Sequence, residues 1–275
     1  MREGEPSRTA FGAAAYRAIH QDAERGSIFR DPLAWQILGD DKEAVLADAE
    51  GRDRPRLRLF IAVRHRFAED SLADAVARGT RQVVVLGAGL DTFAYRNPFP
   101  ETTVFEVDHP ATGAWKQERL ASAGIVVPPN VRYVGVDFET DDLMSRLADA
   151  GFDASAPAFF LWLGVVPYLT LDAVTATLRA IASVPDGEVV FDYTNPVDQL
   201  RDLAQDDRAD LIARVADVGE PLSAGLDTAD LHALLTSLGF TEIDDLDRPD
   251  IRSRYLNLPP GDAGGGAHIV RARVA

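Results

Sequence analysis

The stretch QVVVLGAGLDTFAYR, residues 82–96, decides the fold of this chain. Its first part, 82–87, is a run of β-branched residues that stops at a glycine, which is typical of a buried strand in a parallel sheet. Gly87 and Gly89 follow at once, and glycine lets the backbone approach a ligand where a Cβ would collide. The stretch therefore predicts a buried strand that ends at a ligand-binding turn.

Strands of the same kind recur along the chain, with helical segments between them. The strand-like segments are TTVFEVD (102–108), VRYVGVD (131–137), AFFLWLG (158–164) and EVVFDY (188–193), and the helical ones lie at about 111–123, 141–150 and 171–183. Strands that alternate with helices pair through right-handed crossovers, which produces a parallel sheet covered by helices on both faces. The sequence thus predicts a doubly wound α/β domain.

The end of the chain breaks this alternation. After a helix at 228–238, two more strands are predicted at FTEIDDL (240–246) and AHIVRARV (267–274), with a loop and no helix over 247–266. Strands joined only by a loop most easily pair antiparallel. A mostly parallel, seven-stranded sheet with an antiparallel C-terminal strand resembles the Rossmann-like sheet of class I methyltransferases more than that of dinucleotide dehydrogenases.

Composition narrows the class of protein and of partner. The chain has 275 residues, a formal net charge of −16 and a pI of about 4.7. Such a negative field repels phosphate backbones and anionic membrane surfaces, so we predict neither nucleic acid nor membrane as a partner. The lack of cysteine excludes disulfides, zinc–thiolate sites and thiol nucleophiles. Because we find no signal-peptide core and no apolar run of about 20 residues, we expect a cytoplasmic protein.

Acidic side chains end the second and third predicted strands. At the tip of the second strand, Asp108 can accept hydrogen bonds from both hydroxyls of a ribose, and capping of the next helix is the alternative. At the tip of the third, Asp137 can accept from an adenine amino group while the N–H of Phe138 donates to a ring nitrogen; a helix cap is again the alternative. Together with the glycine turn, these residues form a set with the shape of a nucleoside.

Several stretches resemble the leucine carboxyl methyltransferase family, over nearly the whole chain. They are SRTA (7–10), RHRFAED (64–70), QVVVLGAGLDTFAYR (82–96), VFEVDHP (104–110), VGVDF (134–138), FFLWLGVVPYLT (159–170) and GEPLSAG (219–225). The GAGLDTFAYR and FEVDHP stretches are fairly specific to this family, and the chain is most similar to its bacterial and polyketide O-methyltransferase branch. The resemblance implies a seven-stranded methyltransferase sheet and S-adenosyl-L-methionine as the cofactor.

By that resemblance, most of the residues already singled out bind the cofactor. Gly87 and Gly89 match glycines beside its methionine part, and Asp108 matches the acid that binds its ribose. Asp137 and Phe138 match the adenine-binding pair, which is usually Asp-Leu in this family. The backbone N–H of phenylalanine can serve as well as that of leucine.

The resemblance also implies a contact to the carboxylate of the cofactor and one departure from the family pattern. Arg64 matches an arginine that contacts this carboxylate, and Arg66 is a second candidate; a solvated helix face is the alternative for both. Leu163 stands where many family members carry a glutamate that contacts the cofactor. Leucine cannot accept a hydrogen bond from the ammonium group of the cofactor, so a backbone carbonyl or another acid must replace that contact.

We predict a single methyltransferase domain over 1–275 that has four parts. These are N-terminal helices (1–79, with helices at 9–20, 31–38 and 56–78), a cofactor-binding core (80–194), a helical lid insertion (195–226), and a C-terminal helix with the terminal strand pair (227–275). An insertion after the carboxyl end of a strand lies over the ligand crevice of such sheets. A helix packed on the sheet edge is the alternative to a lid.

These observations predict an enzyme, an S-adenosylmethionine-dependent O-methyltransferase that acts on a carboxylate or hydroxyl of a small molecule by in-line transfer. One alternative is an NAD(P)-dependent oxidoreductase of Rossmann type, but Thr92 stands at the third glycine position and no Tyr-x-x-x-Lys pattern occurs. The other alternative, a non-catalytic cofactor-binding relative, is suggested by Leu163. We assign no catalytic residue and no metal ligand. Tyr168, Tyr193 and Asn195 are candidates to line the acceptor pocket.

Overall fold

The predicted strands form one mixed sheet in a computed structural model that describes residues 8–39, 45, 55–196, 225–260 and 266–274. The strands are β1 (Gln82–Leu86), β2 (Thr103–Asp108), β3 (Val131–Gly135), β4 (Ala158–Trp162), β5 (Glu188–Thr194), β6 (Phe240–Leu246) and β7 (Ala267–Val274). Their order is β3-β2-β1-β4-β5-β7-β6. Strands β1 to β5 pair in parallel, and β7 is antiparallel to β5 and to β6. The predicted fold class is confirmed.

Helices precede, connect and follow the strands. Those described are α1 (Arg8–Ala23), α2 (Ala34–Leu38), α3 (Pro55–Arg78), α4 (Phe93–Arg96), α5 (Pro110–Ser122), α6 (Leu143–Asp149), α7 (Leu171–Ala182), α8 (Thr228–Leu238) and α9 (Arg248–Tyr255), with a 3₁₀ turn at Val166–Tyr168. The sequence predicted a helix that starts at Asp31, and α2 begins three residues later, at Ala34. The short α4 was not predicted.

The predicted loop between β6 and β7 was wrong, because α9 lies within it. Asp247 caps this helix by accepting a hydrogen bond from the N–H of Asp250 over 2.9 Å, and Pro249 stands in its first turn. Both are ordinary signals of a helix start. The antiparallel pairing of β6 with β7 was nevertheless predicted correctly, because a short helix does not prevent the chain from turning back.

Two hydrophobic cores cover the two faces of the sheet, because β1 and β4 are buried on both sides. On one face, α6, α7 and α8 pack on residues such as Val84, Phe160 and Phe191. On the other face, α3, α4 and α9 pack on residues such as Val83 and Leu161. This layering places the carboxyl ends of β1 to β4 along one edge, where the strand order reverses direction between β1 and β4.

A third cluster attaches α1 and α2 to α5 beside that edge. Ala14 and Ala18 of α1 and Ile37 of α2 pack against Leu90 and Leu120. Helix α1 therefore lies close to the turn after β1. In the described segments, no helix is both long and apolar enough to cross a membrane. The predicted lid at 195–226 lies outside the described residues except for its ends, so it remains a prediction, as do the predicted domain boundaries.

Candidate functional site

A cavity of about 490 Å³ opens at the carboxyl edge of β1 to β4, within the usual size range of small-molecule sites. All the residues predicted to bind the cofactor line it, namely Arg64, Gly87, Gly89, Asp108, Asp137 and Phe138. Helix α1 closes one side through Thr9, Ala10 and Ala13, and the chain after β4 closes another through Val165, Tyr168 and Leu169. The fold thus brings these residues together, and their individual roles stay predictions.

The glycine turn after β1 is closely packed on both sides. Gly87 has φ +64°, and a Cβ there would overlap the side chain of Val165. Gly89 has φ +40°, and its Cβ would lie 2.8 Å from Cβ of Ala10. Residues other than glycine rarely adopt such φ values, so both the limited space and the backbone conformation require glycine here. The turn consequently presents bare backbone to the cavity.

The carboxylate of Asp108 joins the tip of β2 to that turn. Its Oδ2 accepts a hydrogen bond from the N–H of Gly89 over 2.6 Å, and its Oδ1 accepts one from the N–H of His109 over 2.7 Å. Burial raises the pKa of Asp108, and these two backbone hydrogen bonds act in the opposite direction. Because a carboxylate offers about four lone pairs, Asp108 retains the capacity to accept from a ligand diol.

The tip of β3 is organised by a network of Asp turns. Asp137 accepts a hydrogen bond at Oδ1 from the N–H of Glu139 over 3.0 Å, and its own N–H donates to Oδ2 of Asp141 over 3.0 Å. Phe138 packs its ring against the core below. Within the described segments, the N–H of Phe138 has no hydrogen-bond partner. It is therefore free to donate to a ligand in the cavity that it lines.

Arg64 is buried beneath the loop that follows β4 and is held by Asp192 of β5. Its Nη1 donates to Oδ2 of Asp192 over 2.9 Å, and Oδ1 of the same carboxylate accepts from the N–H of Gly164 over 2.6 Å. Among the described residues, Nε of Arg64 is buried without a partner. Arg66, the second candidate, lies on the exposed helix face and pairs with Asp70 over 2.7 Å. Only Arg64 of these two arginines lines the cavity.

Three further charged or titratable side chains line the cavity near the glycine turn, namely Arg17, His65 and Asp91. The sequence analysis did not identify them as ligands. Arg17 of α1 donates to Oδ2 of Asp31 over 2.9 Å and to the carbonyl of Leu90 over 2.7 Å. Nε2 of His65 lies 3.3 Å from Oδ2 of Asp91. Arg17 and Leu90 are 73 positions apart, so the local sequence contains no signal that they meet.

A buried ion pair supports the turn from behind. Nζ of Lys116 on α5 contacts Oε1 of Glu106 at 2.7 Å and donates to the carbonyl of Ala88 over 3.3 Å. The hydroxyl of Tyr95 donates to the other oxygen of Glu106 over 2.6 Å. Burial raises the pKa of Glu106, and the nearby ammonium of Lys116 lowers it. This pair connects α5, β2 and the backbone between the two glycines.

The three acceptor-pocket candidates separate in the structure. Tyr168 lines the cavity. Tyr193 is buried and its hydroxyl contacts Oδ2 of Asp245 at 2.9 Å, while Oδ1 of Asn195 contacts Nε2 of His268 at 2.9 Å. These two residues therefore belong to a polar cluster where β5, β6 and β7 meet, and neither belongs to the lining of the cavity.

The charges in the cavity follow the order of the strands. The carboxylates of Asp108 and Asp137 stand at the β2 and β3 end, and the cations Arg17 and Arg64 stand with Asp91 at the β1 and β4 end. Leu163 lines the same cavity and contributes no polar atom from its side chain. No group of three His, Asp or Glu side chains within the described ranges could hold a metal ion. The arrangement suits an elongated ligand that is a neutral polyol at one end and charged at the other.

Comparisons with known proteins agree with this description. A family model described as leucine carboxyl methyltransferase matches residues 10–182. YktD of Bacillus subtilis (strain 168), provisionally named as an S-adenosyl-L-methionine-dependent methyltransferase, is 28% identical over 94% of this chain and 93% of its own. A relative from Mycolicibacterium smegmatis with the same kind of provisional name is 32% identical over 90% of this chain and 81% of its own. A solved DUF574 family protein from Streptomyces avermitilis shares the fold, with a TM-score of 0.59, 18% identity and 99% of each chain covered.

Proposed function

The chain belongs to the leucine carboxyl methyltransferase family, and on that premise we propose that it methylates an oxygen atom, a carboxylate or a hydroxyl, of a small molecule. It is a methyltransferase and its cofactor is S-adenosylmethionine, as the resemblance predicted. This membership favours methyl transfer over the nicotinamide-dependent and non-catalytic alternatives. When bound, the cofactor supplies a methyl group that is already activated on a sulfonium, so the protein must chiefly align the acceptor with it.

We propose the cavity at the carboxyl edge as the cofactor site, with the adenine at Asp137 and Phe138 and the ribose at Asp108. Its lining runs along β3, β2, β1 and β4. Because neighbouring strands lie about 4.8 Å apart, three steps span roughly 14 Å, which suits an extended nucleoside joined to an amino acid. Gly87 and Gly89 line the middle of this path.

One observation supports this assignment most strongly. Along a single cavity, the lining side chains change from carboxylates that can accept hydrogen bonds from a diol to arginines. At one end, the carboxylate of Asp108 can bind vicinal hydroxyls. At the other end, Arg64 is held under the loop after β4 by the bond to Asp192, 2.9 Å long. A guanidinium in that position matches a carboxylate. S-adenosylmethionine has a nucleoside at one end and an amino acid at the other, so it matches this arrangement.

The acceptor is proposed to be a small oxygen nucleophile. A net charge of −16 disfavours nucleic acid, and helix α1 closes one side of the cavity with Thr9, Ala10 and Ala13, which narrows the access for a folded partner. A carboxylate is ionised at neutral pH and needs no general base, whereas a hydroxyl needs one. Our proposal therefore assigns alignment to the residues of the cavity and gives no residue a catalytic role.

The test uses S-adenosylmethionine labelled with tritium in its methyl group. The purified protein is incubated with the small-molecule fraction, the protein fraction and the nucleic-acid fraction of a bacterial extract, each separately. We expect label in the small-molecule fraction, in a form that mild alkali either releases as methanol, for an ester, or leaves in place, for an ether. The same incubation with Asp108→Asn, which alters the proposed ribose contact, should transfer much less label.

The proposal would be contradicted if the label entered the protein or nucleic-acid fraction, or if the product carried the methyl group on nitrogen or carbon. Asp70→Asn is the matched control, because it removes the same charge from the exposed face of α3, where the carboxylate pairs with Arg66. Transfer by this control should equal that of the unmodified protein.

A further inference from the structure

Two hydrogen-bond acceptors face each other at the β1 end of the cavity. Nδ1 of His65 lies 2.7 Å from the carbonyl of Ile61, one helical turn before it, and must be the donor in that contact because a carbonyl can only accept. In the neutral ring, Nε2 of His65 is then an acceptor. It lies 3.3 Å from Oδ2 of Asp91, which is an acceptor as well. A donor in the cavity at hydrogen-bond distance from both atoms would satisfy both.

The protonation states support this description. Burial lowers the pKa of His65, and the charges of Arg17 and Arg64 lower it further, against the opposing effect of Asp91. Burial raises the pKa of Asp91, but the positive charges of Arg17 and Arg96 act against it, and this pKa lies well below its usual range. At neutral pH the pair is therefore an uncharged imidazole that faces an ionised carboxylate.

The charged groups around His65 and Asp91 indicate which kind of donor would bind to both. Among the described residues, the other carboxylates in the cavity lining are Asp108, Asp137 and Glu139, which stand at or after the tips of β2 and β3. Within that part of the chain, Asp91 is the lining carboxylate near the cations Arg17 and Arg64. Leu163 offers no acceptor from its side chain. A carboxylate and an imidazole beside two guanidinium groups complement an ammonium next to a carboxylate, which is the α-amino acid group.

We propose that Asp91 and His65 together bind the α-ammonium group of the methionine part of S-adenosylmethionine. The ammonium donates one hydrogen bond to Oδ2 of Asp91 and one to Nε2 of His65, while Arg17 and Arg64 face the adjoining carboxylate. Asp91 is fixed for this role because its Oδ1 accepts from the N–H of Phe93 over 2.6 Å. This inference rests on the proposed location of the cofactor in the cavity.

The test compares three ligands by calorimetry at neutral pH. They are S-adenosylhomocysteine, its analogue without the α-amino group, and 5′-methylthioadenosine, which lacks the whole amino acid part. We expect the unmodified protein to bind the deaminated analogue about tenfold to a hundredfold more weakly than S-adenosylhomocysteine. This ratio corresponds to the net free energy of one hydrogen bond to a charged group. In Asp91→Asn this difference should disappear, while the affinity for 5′-methylthioadenosine stays unchanged.

Asp91→Asn also separates this role from a purely structural one. An asparagine keeps the acceptor for the N–H of Phe93, and its amide can donate to Nε2 of His65. We expect the variant without ligand to unfold cooperatively but at a lower urea concentration, because an aspartate whose pKa is lowered in the folded protein stabilises it at neutral pH. A purely structural role would not make the loss of affinity depend on the α-amino group of the ligand.

Equal affinity of the unmodified protein for S-adenosylhomocysteine and its deaminated analogue would overturn the proposal without any variant. A loss of affinity for all three ligands in Asp91→Asn would overturn it too, since that pattern indicates a role in folding. Failure of the proposed cavity assignment is distinguished by Asp108→Asn, which should weaken binding of 5′-methylthioadenosine. If it does not, the ligand lies elsewhere.

Discussion

The backbone N–H of Gly89 donates a hydrogen bond to Oδ2 of Asp108 over 2.6 Å, across 19 positions of sequence. The bond joins the turn after β1 to the tip of the neighbouring strand β2. One carboxylate thus fixes the backbone of the turn and also faces the cavity. A change at Asp108 should consequently affect the shape of the site as well as its charge.

Replacement of Asp108 by asparagine should weaken binding of S-adenosylhomocysteine by at least about tenfold, since two backbone donors and a diol require acceptors and an amide offers one oxygen. Calorimetric titration measures the change. Asp70→Asn serves as the control, with an expected affinity equal to that of the unmodified protein. Unchanged affinity in Asp108→Asn would place the ribose somewhere else.

Alanine at Gly87 should destabilise the protein by at least about 2 kcal/mol, because the left-handed conformation and the overlap with Val165 each oppose a Cβ. Alanine at Gly113, in the interior of α5 where a Cβ has open space, should instead stabilise by about 0.5–1 kcal/mol. Urea unfolding of the two variants measures both effects. A Gly87→Ala variant as stable as the unmodified protein would show that the turn does not require glycine.

Strands β1, β4 and β5 were predictable because they are runs of buried, mostly β-branched or aromatic residues. The start of β6 at Phe240 and the start of β7 at Ala267 coincide with the prediction. The helix after β6 was missed, although Asp247 and Pro249 are helix-start signals, because only Ile251 among its eight residues is buried. A helix with so little apolar surface has almost no periodic pattern to detect.

From the residue pattern alone, the cavity was predictable only where strand tips form it, and Arg64 of α3 was predicted through the family resemblance. Parallel strands bring Gly87, Asp108 and Asp137 to one edge, so their meeting follows from the topology. Arg17 joins them from α1, and the sequence has no local pattern that brings that helix over the turn. Tyr193 also ends a strand, but its ring lies on the face covered by α8, where its hydroxyl contacts Thr228 at 2.8 Å.

Replacement of Lys116 by methionine should lower the free energy of unfolding by about 3–5 kcal/mol at neutral pH, because it leaves Glu106 charged and buried without its partner. The loss should shrink as the pH falls. The pKa of Glu106 is already raised by burial, and without the ammonium it rises further, so the folded variant takes up a proton more readily than the unfolded chain. Urea unfolding at several pH values measures this trend.

The double variant Lys116→Met, Glu106→Gln provides the control for that prediction. A glutamine stays neutral and can still accept the hydrogen bond from the hydroxyl of Tyr95. We expect most of the lost stability to return, and the dependence on pH to disappear. If the double variant were as unstable as the single one, the loss would come from packing or from the bond to Ala88, and not from the unpaired charge.

The polar cluster between β5, β6 and β7 centres on Asp245, which has three partners. Its Oδ2 contacts Nε2 of His232 at 2.7 Å and the hydroxyl of Tyr193 at 2.9 Å, and its Oδ1 contacts Nδ1 of His268 at 2.9 Å. Burial raises the pKa of Asp245, but the hydrogen bond and charge of His268, with the bonds from the other two, lower it overall. The ionised carboxylate is therefore the form that this cluster stabilises.

Asp245→Asn should lower the free energy of unfolding by about 1–3 kcal/mol at pH 7, since the amide cannot accept from all three partners. A carboxyl whose pKa is lower in the folded protein contributes stability above its unfolded value of 3.8, and this stability is lost as the pH falls through the folded value. The difference between the variant and the unmodified protein should therefore narrow in acid. Urea unfolding at pH 7 and again below the pKa of an ordinary aspartate measures it, and a gap that stayed constant with pH would show that the charge of Asp245 contributes nothing to stability.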